Sequence, residues 1–252
     1  MEKVSAIIVA GGSGKRMGMA IKKQYILLNE KEVLAHTIEK FNNCACIDEI
    51  VVVVGADEIQ GTKENIVEKY GYNKVKQIIA GGKERQDSVY NGLVNTDKNA
   101  KYVMIHDGAR PFIKEETINK ALDAVKQNEA CVVAVPVKDT IKVVDNNSKV
   151  IEHTPKRETL WSVQTPQCFD KKTLLSAYQF AHETKLAVTD DSMLVEAYGK
   201  EVYIVEGDYT NIKITTQEDL LIGKAILESE GSSSRRAVSY THLRAHETSL
   251  HL

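Results

Sequence analysis

The chain of 252 residues sets 33 lysines and arginines against 35 aspartates and glutamates, a formal charge of -2. A chain of this length can bury a full core, and single α/β units reach about 250 residues, so one domain with appendages is expected rather than two small modules. The near-neutral balance supplies no general field to gather DNA or an anionic membrane, so any phosphate chemistry has to be local.

The first element is a strand over Val4–Val9, within MEKVSAIIVAGG. This short apolar run passes straight into a glycine turn, which fits neither a signal peptide nor a membrane span. A soluble, cytoplasmic protein is therefore expected. The turn reads AGGSGKRMG from Ala10 to Gly18, with glycines at 11, 12, 14 and 18. Glycines there let backbone N–H groups approach an anion, which suits a nucleotide triphosphate at a strand-to-helix turn. A P-loop fails because Arg16 follows Gly14-Lys15, and the dinucleotide fingerprint fails because its third glycine position holds Met17. Lys23 follows in KKQY, and cations beside a phosphate cradle suit stabilisation of a transferring phosphoryl group.

An amphipathic helix is read from Val33, Leu34, Thr37, Ile38 and Phe41, then a strand over Ile50–Val54. Cys44 and Cys46 lie between them, with Cys131 and Cys168 far off. C-x-C matches neither zinc-ligand nor thioredoxin spacing, so buried free thiols in a reducing compartment are expected over a metal site. After Gly81-Gly82, Asp87 and Ser88 open a helix as caps would, although the Ser88 hydroxyl could instead meet a ribose or base. A strand over Tyr102–Ile105 leads into HDGARPF, which places Asp107 at a strand's carboxyl end. There a carboxylate can hold Mg²⁺ between phosphate oxygens; the alternative is a cap or a salt bridge with Arg110. His106, with no hydroxyl or thiol partner, reads as structural.

A helix over Ile118, Leu122 and Val125 and a strand over Val132–Val137 come next. Ile141–Val144 and Val150–His153 flank the turn DNNS, an inserted β-hairpin that would serve as a dimer arm or lie as a surface flap. Leu174, Leu175, Tyr178 and Ala181 mark a further helix, Val202–Val205 a last strand, and Thr216–Glu230 a last helix-like stretch. The strands are apolar on both faces, as buried parallel strands are, and their alternation with helices predicts an α/β sheet covered on both sides. Residues 232–252 lack lysine and gather Arg235, Arg236 and Arg244 with His242, His246 and His251. They read as adaptor or read-through sequence rather than as a metal or nucleic-acid tail, since the histidines have no cysteine and only the lone Glu247 beside them. Without them the chain is more acidic, with the functional unit spanning 1–231.

Up to Gly231 the arginines are Arg16, Arg85, Arg110 and Arg157, each in a glycine- or proline-bearing stretch of an otherwise lysine-using chain. That placement suggests planar, bidentate recognition of phosphate.

In order, AGGSGKRMG, KKQY, GGKERQDSV, HDGARPF, VPVKDTIK, LWSVQTPQ, TDDSMLVEAYG and VEGDYTNIKITTQEDL resemble the 2-C-methyl-D-erythritol 4-phosphate cytidylyltransferase family. The resemblance covers the first strand to the last helix. It implies a Rossmann-like nucleotidyltransferase fold, a mostly parallel sheet with helices on both faces and an inserted β-arm at about 138–163 clasping a second subunit. It implies that Ala10, Gly11, Gly12, Gly82 and Ser88 hold cytidine and ribose, and that Arg16, Lys23 and Lys213 contact the CTP phosphates with Asp107 on Mg²⁺. Arg110, Thr140 and Arg157 would receive the sugar-alcohol phosphate, the last two reaching across from the partner. Two positions depart from the pattern. Lys22 stands where the family often has proline, and Lys83 where some members are acidic; Lys23, beside Gln24-Tyr25, is the aligned lysine. Ribitol-5-phosphate cytidylyltransferases share most of these motifs, and a nucleotide-binding module without catalysis is the competing reading from another class.

Overall fold

The computed structural model describes residues 2–12 and 22–230, so Arg16 and the 232–252 tail lie outside the described residues. In chain order, β1 (Lys3–Val9) precedes a small hairpin of β2 (Leu27–Leu28) and β3 (Lys31–Glu32), then α1 (Val33–Asn43), β4 (Glu49–Val54) and the short α2 (Ile59–Thr62). Next come β5 (Val75–Ala80), α3 (Arg85–Val94), β6 (Ala100–Asp107), α4 (Glu115–Asn128) and β7 (Ala130–Pro136). The hairpin β8 (Val143–Val144) and β9 (Ile151–His153) follows, then β10 (Trp161–Asp170), α5 (Lys171–Thr184), α6 (Asp191–Ala197), β11 (Tyr203–Glu206) and a helix, α7, over 217–230.

The 7-stranded sheet has the order β11-β7-β10-β6-β1-β4-β5. Its pairs are parallel except those of β10, which runs against both β6 and β7. The period-2 geometry of strands explains why the central ones are apolar throughout. Val4, Ala6 and Ile8 of β1 and Met104 of β6 pack with Leu34, Ile38 and Phe41 of α1 and Ile118 and Val125 of α4. Ile7 of β1 and Val103 and Ile105 of β6 pack on the opposite face with Val89 and Leu93 of α3, Leu174 and Ala177 of α5, and Leu194 of α6. Each such side chain, fully buried, contributes about 1.5–3 kcal/mol, so these two faces fix the register of the sheet.

This arrangement agrees with the expected α/β sheet, its hairpin and its last helix. Two strands differ from expectation. The edge strand β5 carries the exposed Lys76 and Gln77, so it lacks the two-faced apolar signature. β10 holds the buried polar residues Gln164, Thr165 and Gln167, and it makes β7 antiparallel on one side. The register shifts between Val163 and Gln167, and these side chains bond Asp208 O, the end of β6 and the first turn of α6.

Strand order also positions the site. From β1 the chain moves outward to β4 and β5, then returns to place β6 on the other side of β1. A crevice opens at the carboxyl ends of strands where such an order reverses. Ala10 and Gly108 stand on its two sides, with Gly108 N donating to Val9 O at 2.8 Å. A Cβ on Gly108 would meet Ala10 Cβ at 2.9 Å and Leu34 Cδ1 at 3.0 Å, so glycine is needed for this close approach.

Candidate active site

A cavity of about 390 Å³ opens at the crevice, floored by Ala10, Gly11 and Gly12 after β1 and walled by Gly82 and Ser88 before and within α3. Lys23, Asp107 and Lys213 complete it among the expected residues. The backbone rather than the side chains shapes its floor: Ala10 N donates to Val53 O at 2.7 Å, and Gly81 N donates to Val54 O at 2.8 Å. Ser88 Oγ accepts from Gly82 N at 3.0 Å and donates to Glu84 O at 3.1 Å. Its hydroxyl therefore shapes the Gly81-Gly82 turn as well as facing the cavity. Asp87 caps this turn by accepting from Glu84 N at 3.1 Å, and a Cβ on Gly82 would fall 2.2 Å from Asp87 Cβ.

The end of β6 separates two functions by alternation. His106 faces α1, its ring 4.8 Å from that of Phe41, while Asp107 faces α3 and the cavity. His106 Nε2 donates to Arg110 O at 3.0 Å, which leaves Nδ1 to accept from Thr165 Oγ1 at 3.0 Å. Burial pushes this imidazole down to about 4, so it is neutral at physiological pH. Thr165 Oγ1 in turn accepts from Asp107 N at 3.1 Å, tying β10 to the strand end.

Asp107 is gripped by three cations. Lys213 Nζ lies 2.7 Å from Oδ2, Arg110 Nε 3.7 Å from Oδ2, and Arg85 Nε 3.8 Å from Oδ1. Burial opposes ionisation of this carboxyl, but Lys213, Arg85 and Arg110 together hold it below the ordinary carboxylate range. Three cations around one carboxylate leave positive charge to receive a further anion. Arg110 Nη1 donates to Asn211 O at 2.8 Å, whereas its Nε is buried without a hydrogen-bond acceptor, and Arg110 stands behind Asp107 rather than in the cavity lining.

The remaining expected residues lie elsewhere. Lys22 pairs with Glu58 at 2.9 Å, away from the cavity that Lys23 lines. Thr140 and Arg157 are exposed at the arm, where Arg157 Nη1 donates to Lys138 O of its own chain at 3.2 Å. Neither lines the cavity. Arg85, expected with the other arginines to recognise phosphate, lines the cavity but is held by Asp191 at 2.7 Å, a residue to which the sequence pattern gives no role. Their pairing spans 106 positions, and no local spacing signals it.

A mostly parallel sheet with a glycine floor and clustered cations at its switch point defines an α/β fold built to handle nucleotide phosphates. The family model described as IspD, 2-C-methyl-D-erythritol 4-phosphate cytidylyltransferase, matches residues 4–229. A protein of that name from Alkaliphilus oremlandii is 50% identical over 229 residues, covering 91% of this chain and 97% of its relative. One from Clostridioides difficile is 50% identical over 226 residues, covering 90% and 94%. The crystal structure of 4-diphosphocytidyl-2C-methyl-D-erythritol synthase from Anaerococcus prevotii superposes with a TM-score of 0.80 at 35% identity, covering 90% of this chain and 96% of that one. The chain belongs to the 2-C-methyl-D-erythritol 4-phosphate cytidylyltransferase family.

Proposed function

We propose that the chain transfers CMP from CTP to 2-C-methyl-D-erythritol 4-phosphate, releasing pyrophosphate and giving 4-diphosphocytidyl-2-C-methyl-D-erythritol for isoprenoid precursor synthesis. The observation that carries this reading is the trio Lys213, Arg110 and Arg85 around Asp107 beside the glycine floor. A phosphate monoester has its second pKa near ~6, so the acceptor oxygen is already an anion at neutral pH. It needs no general base, and His106, neutral with both nitrogens engaged, offers none. The obstacle is repulsion between two polyanions. Lys23 and Lys213 face the cavity and would neutralise charge growing on the α-phosphate and the leaving pyrophosphate. Lys213 would exchange Asp107 for a phosphate oxygen, and Arg110, on the same oxygen of Asp107, would receive the phosphate of the second substrate. Ala10, Gly11, Gly12, Gly82 and Ser88 would hold the nucleoside, and Arg16, beyond the described residues, would contact the CTP phosphates.

Mg²⁺ usually takes one or two carboxylates and completes its shell from phosphates and water. The ionised Asp107 at a strand end fits that demand. Among the described residues no cluster of three His, Cys, Asp or Glu could hold a resident ion, which suits a metal arriving with the nucleotide. When bound it would neutralise phosphate oxygen charge.

We infer further that 1–231 is the catalytic unit and that the arm joins two copies. Ile141, Val144, Val150 and Ile151 leave 38–62% of their surface exposed, a local apolar excess suited to an interface. Thr140 and Arg157 would then serve the partner's site. No helix among the described residues is long and apolar enough to cross a membrane. Pyrophosphate release decides the substrate: turnover is expected with CTP and methylerythritol phosphate together. Equal turnover with ribitol 5-phosphate, or none with any pair, overturns the proposal.

A further inference from the structure

The Asp191 side chain, 1% exposed, opens α6 and meets Arg85 of the cavity lining. Burial pushes its carboxyl up, and a carboxylate so placed persists only with partners. Arg85 Nη1 donates to Oδ2 at 2.7 Å, and the Tyr178 hydroxyl donates to Oδ1 at 2.9 Å. The turn that presents it is fastened as well. Gln167 Oε1 of β10 accepts from Asp191 N at 3.0 Å and Ser192 N at 3.2 Å, while Gln167 Nε2 donates to Asp190 Oδ2 at 3.1 Å.

The guanidinium held this way has a second face. Arg85 Nε reaches to 3.8 Å from Asp107 Oδ1, whereas Lys213 and Arg110 sit on Oδ2. Asp107 is thus steadied on its two oxygens by different means. Lys213 and Arg110 belong to residues with substrate roles and must be able to change partner. Arg85 is anchored behind by a buried carboxylate and cannot easily leave.

We propose that Asp191 is a positioning residue for the transfer reaction. By fixing Arg85 on the Oδ1 side of Asp107, it keeps that carboxylate aimed into the cavity while Lys213 trades Asp107 for a substrate phosphate. This rests on the roles given above to Asp107 and Lys213. An arginine is required because one planar fork spans both carboxylates, which a single lysine ammonium cannot do.

The experiment compares wild type, Asp191→Asn, Arg85→Lys and the double variant in steady-state pyrophosphate release, with CTP binding followed by calorimetry. Asp191→Asn is expected to lower kcat about tenfold or more while the KM for the polyol phosphate stays within about threefold, the split expected of a transition-state effect. Arg85→Lys should fall by a similar factor despite keeping its charge. The double variant should be no worse than the weaker single, because one acts through the other. CTP affinity should change less than about threefold throughout, which separates positioning from loss of the nucleotide site. If Asp191→Asn does not fold, Tyr178→Phe paired with Arg85→Lys replaces it in the same cycle, with sub-additive losses again expected. Wild-type turnover with Asp191→Asn within about twofold of it, or losses that multiply in the double variant, overturns the positioning role. An inactive wild type would instead overturn the functional reading on which it rests.

Discussion

Replacing Thr165 by valine removes one hydroxyl of nearly equal volume and leaves two buried polar groups without partners. Thr165 Oγ1 accepts from Asp107 N at 3.1 Å and donates to His106 Nδ1 at 3.0 Å. Thr165 is 4% exposed and His106 0%, so water cannot readily replace either bond. No change of tautomer rescues the histidine: moving its proton to Nδ1 would leave Arg110 O without the donor it has at Nε2. An orphaned buried group costs about 1–3 kcal/mol, so two predict about 2–6 kcal/mol of lost stability. Urea unfolding with an unchanged m-value measures this directly, and Thr165→Ser, which keeps the hydroxyl, should stay within about 1 kcal/mol of wild type. A valine variant that also stays within about 1 kcal/mol would refute the coupling of β10 to the strand end.

Lys23→Ala should depress kcat for pyrophosphate release far more than it weakens CTP binding, and unchanged turnover would remove the lysine from the chemistry. The folded pKa of His106, pushed down to about 4 by burial, lies below the ordinary value near 6.5. The unfolded chain therefore binds more protons between these values, so this contribution is complete above about pH 6.5 and is lost as pH falls through about 4. It amounts to about 3 kcal/mol, and denaturant titrations of His106→Gln should show a correspondingly flatter loss from pH 6.5 to 4 than wild type. Val150→Asp combined with Ile151→Asp should shift sedimentation toward monomer, and an unchanged dimer would exclude the arm as the interface. Mixing Arg157→Ala with Lys23→Ala subunits should restore part of the activity; no recovery would mean that Arg157 does not cross between subunits.

Where the chemistry of an element and its burial coincide, the sequence makes the element plain. Ile7 and Ile8 point to opposite faces of β1 and both are buried, so their run announces a central strand. β10 is equally central, yet its Gln164, Thr165 and Gln167 spend their polar groups on Asp208 O, His106 and the first turn of α6. Hydropathy cannot distinguish a polar residue satisfied inside from one facing water. The same limit applies to the site. Glycine turns, Lys23 and Asp107 are visible because each belongs to a short pattern after a strand, whereas the pairing of Arg85 with Asp191 requires α3 and α6 to be placed against each other first. Lys213 is visible through resemblance alone, because nothing local in NIKITT points to a carboxylate at β6.

A strand that runs against its neighbours begins where they end. Trp161 sits opposite Pro136, so β10 starts at the cavity end of the sheet, and the short stretch from His153 to Trp161, with its helical turn at Arg157–Thr159, links it to the β8–β9 hairpin. Four residues after Trp161 the same strand supplies Thr165 to the backbone of Asp107. The surface that would recognise a second copy and the carboxylate proposed to act on the phosphates are therefore joined by one short segment of strand. A substitution between the hairpin and Thr165 would therefore be felt at the strand end that carries Asp107.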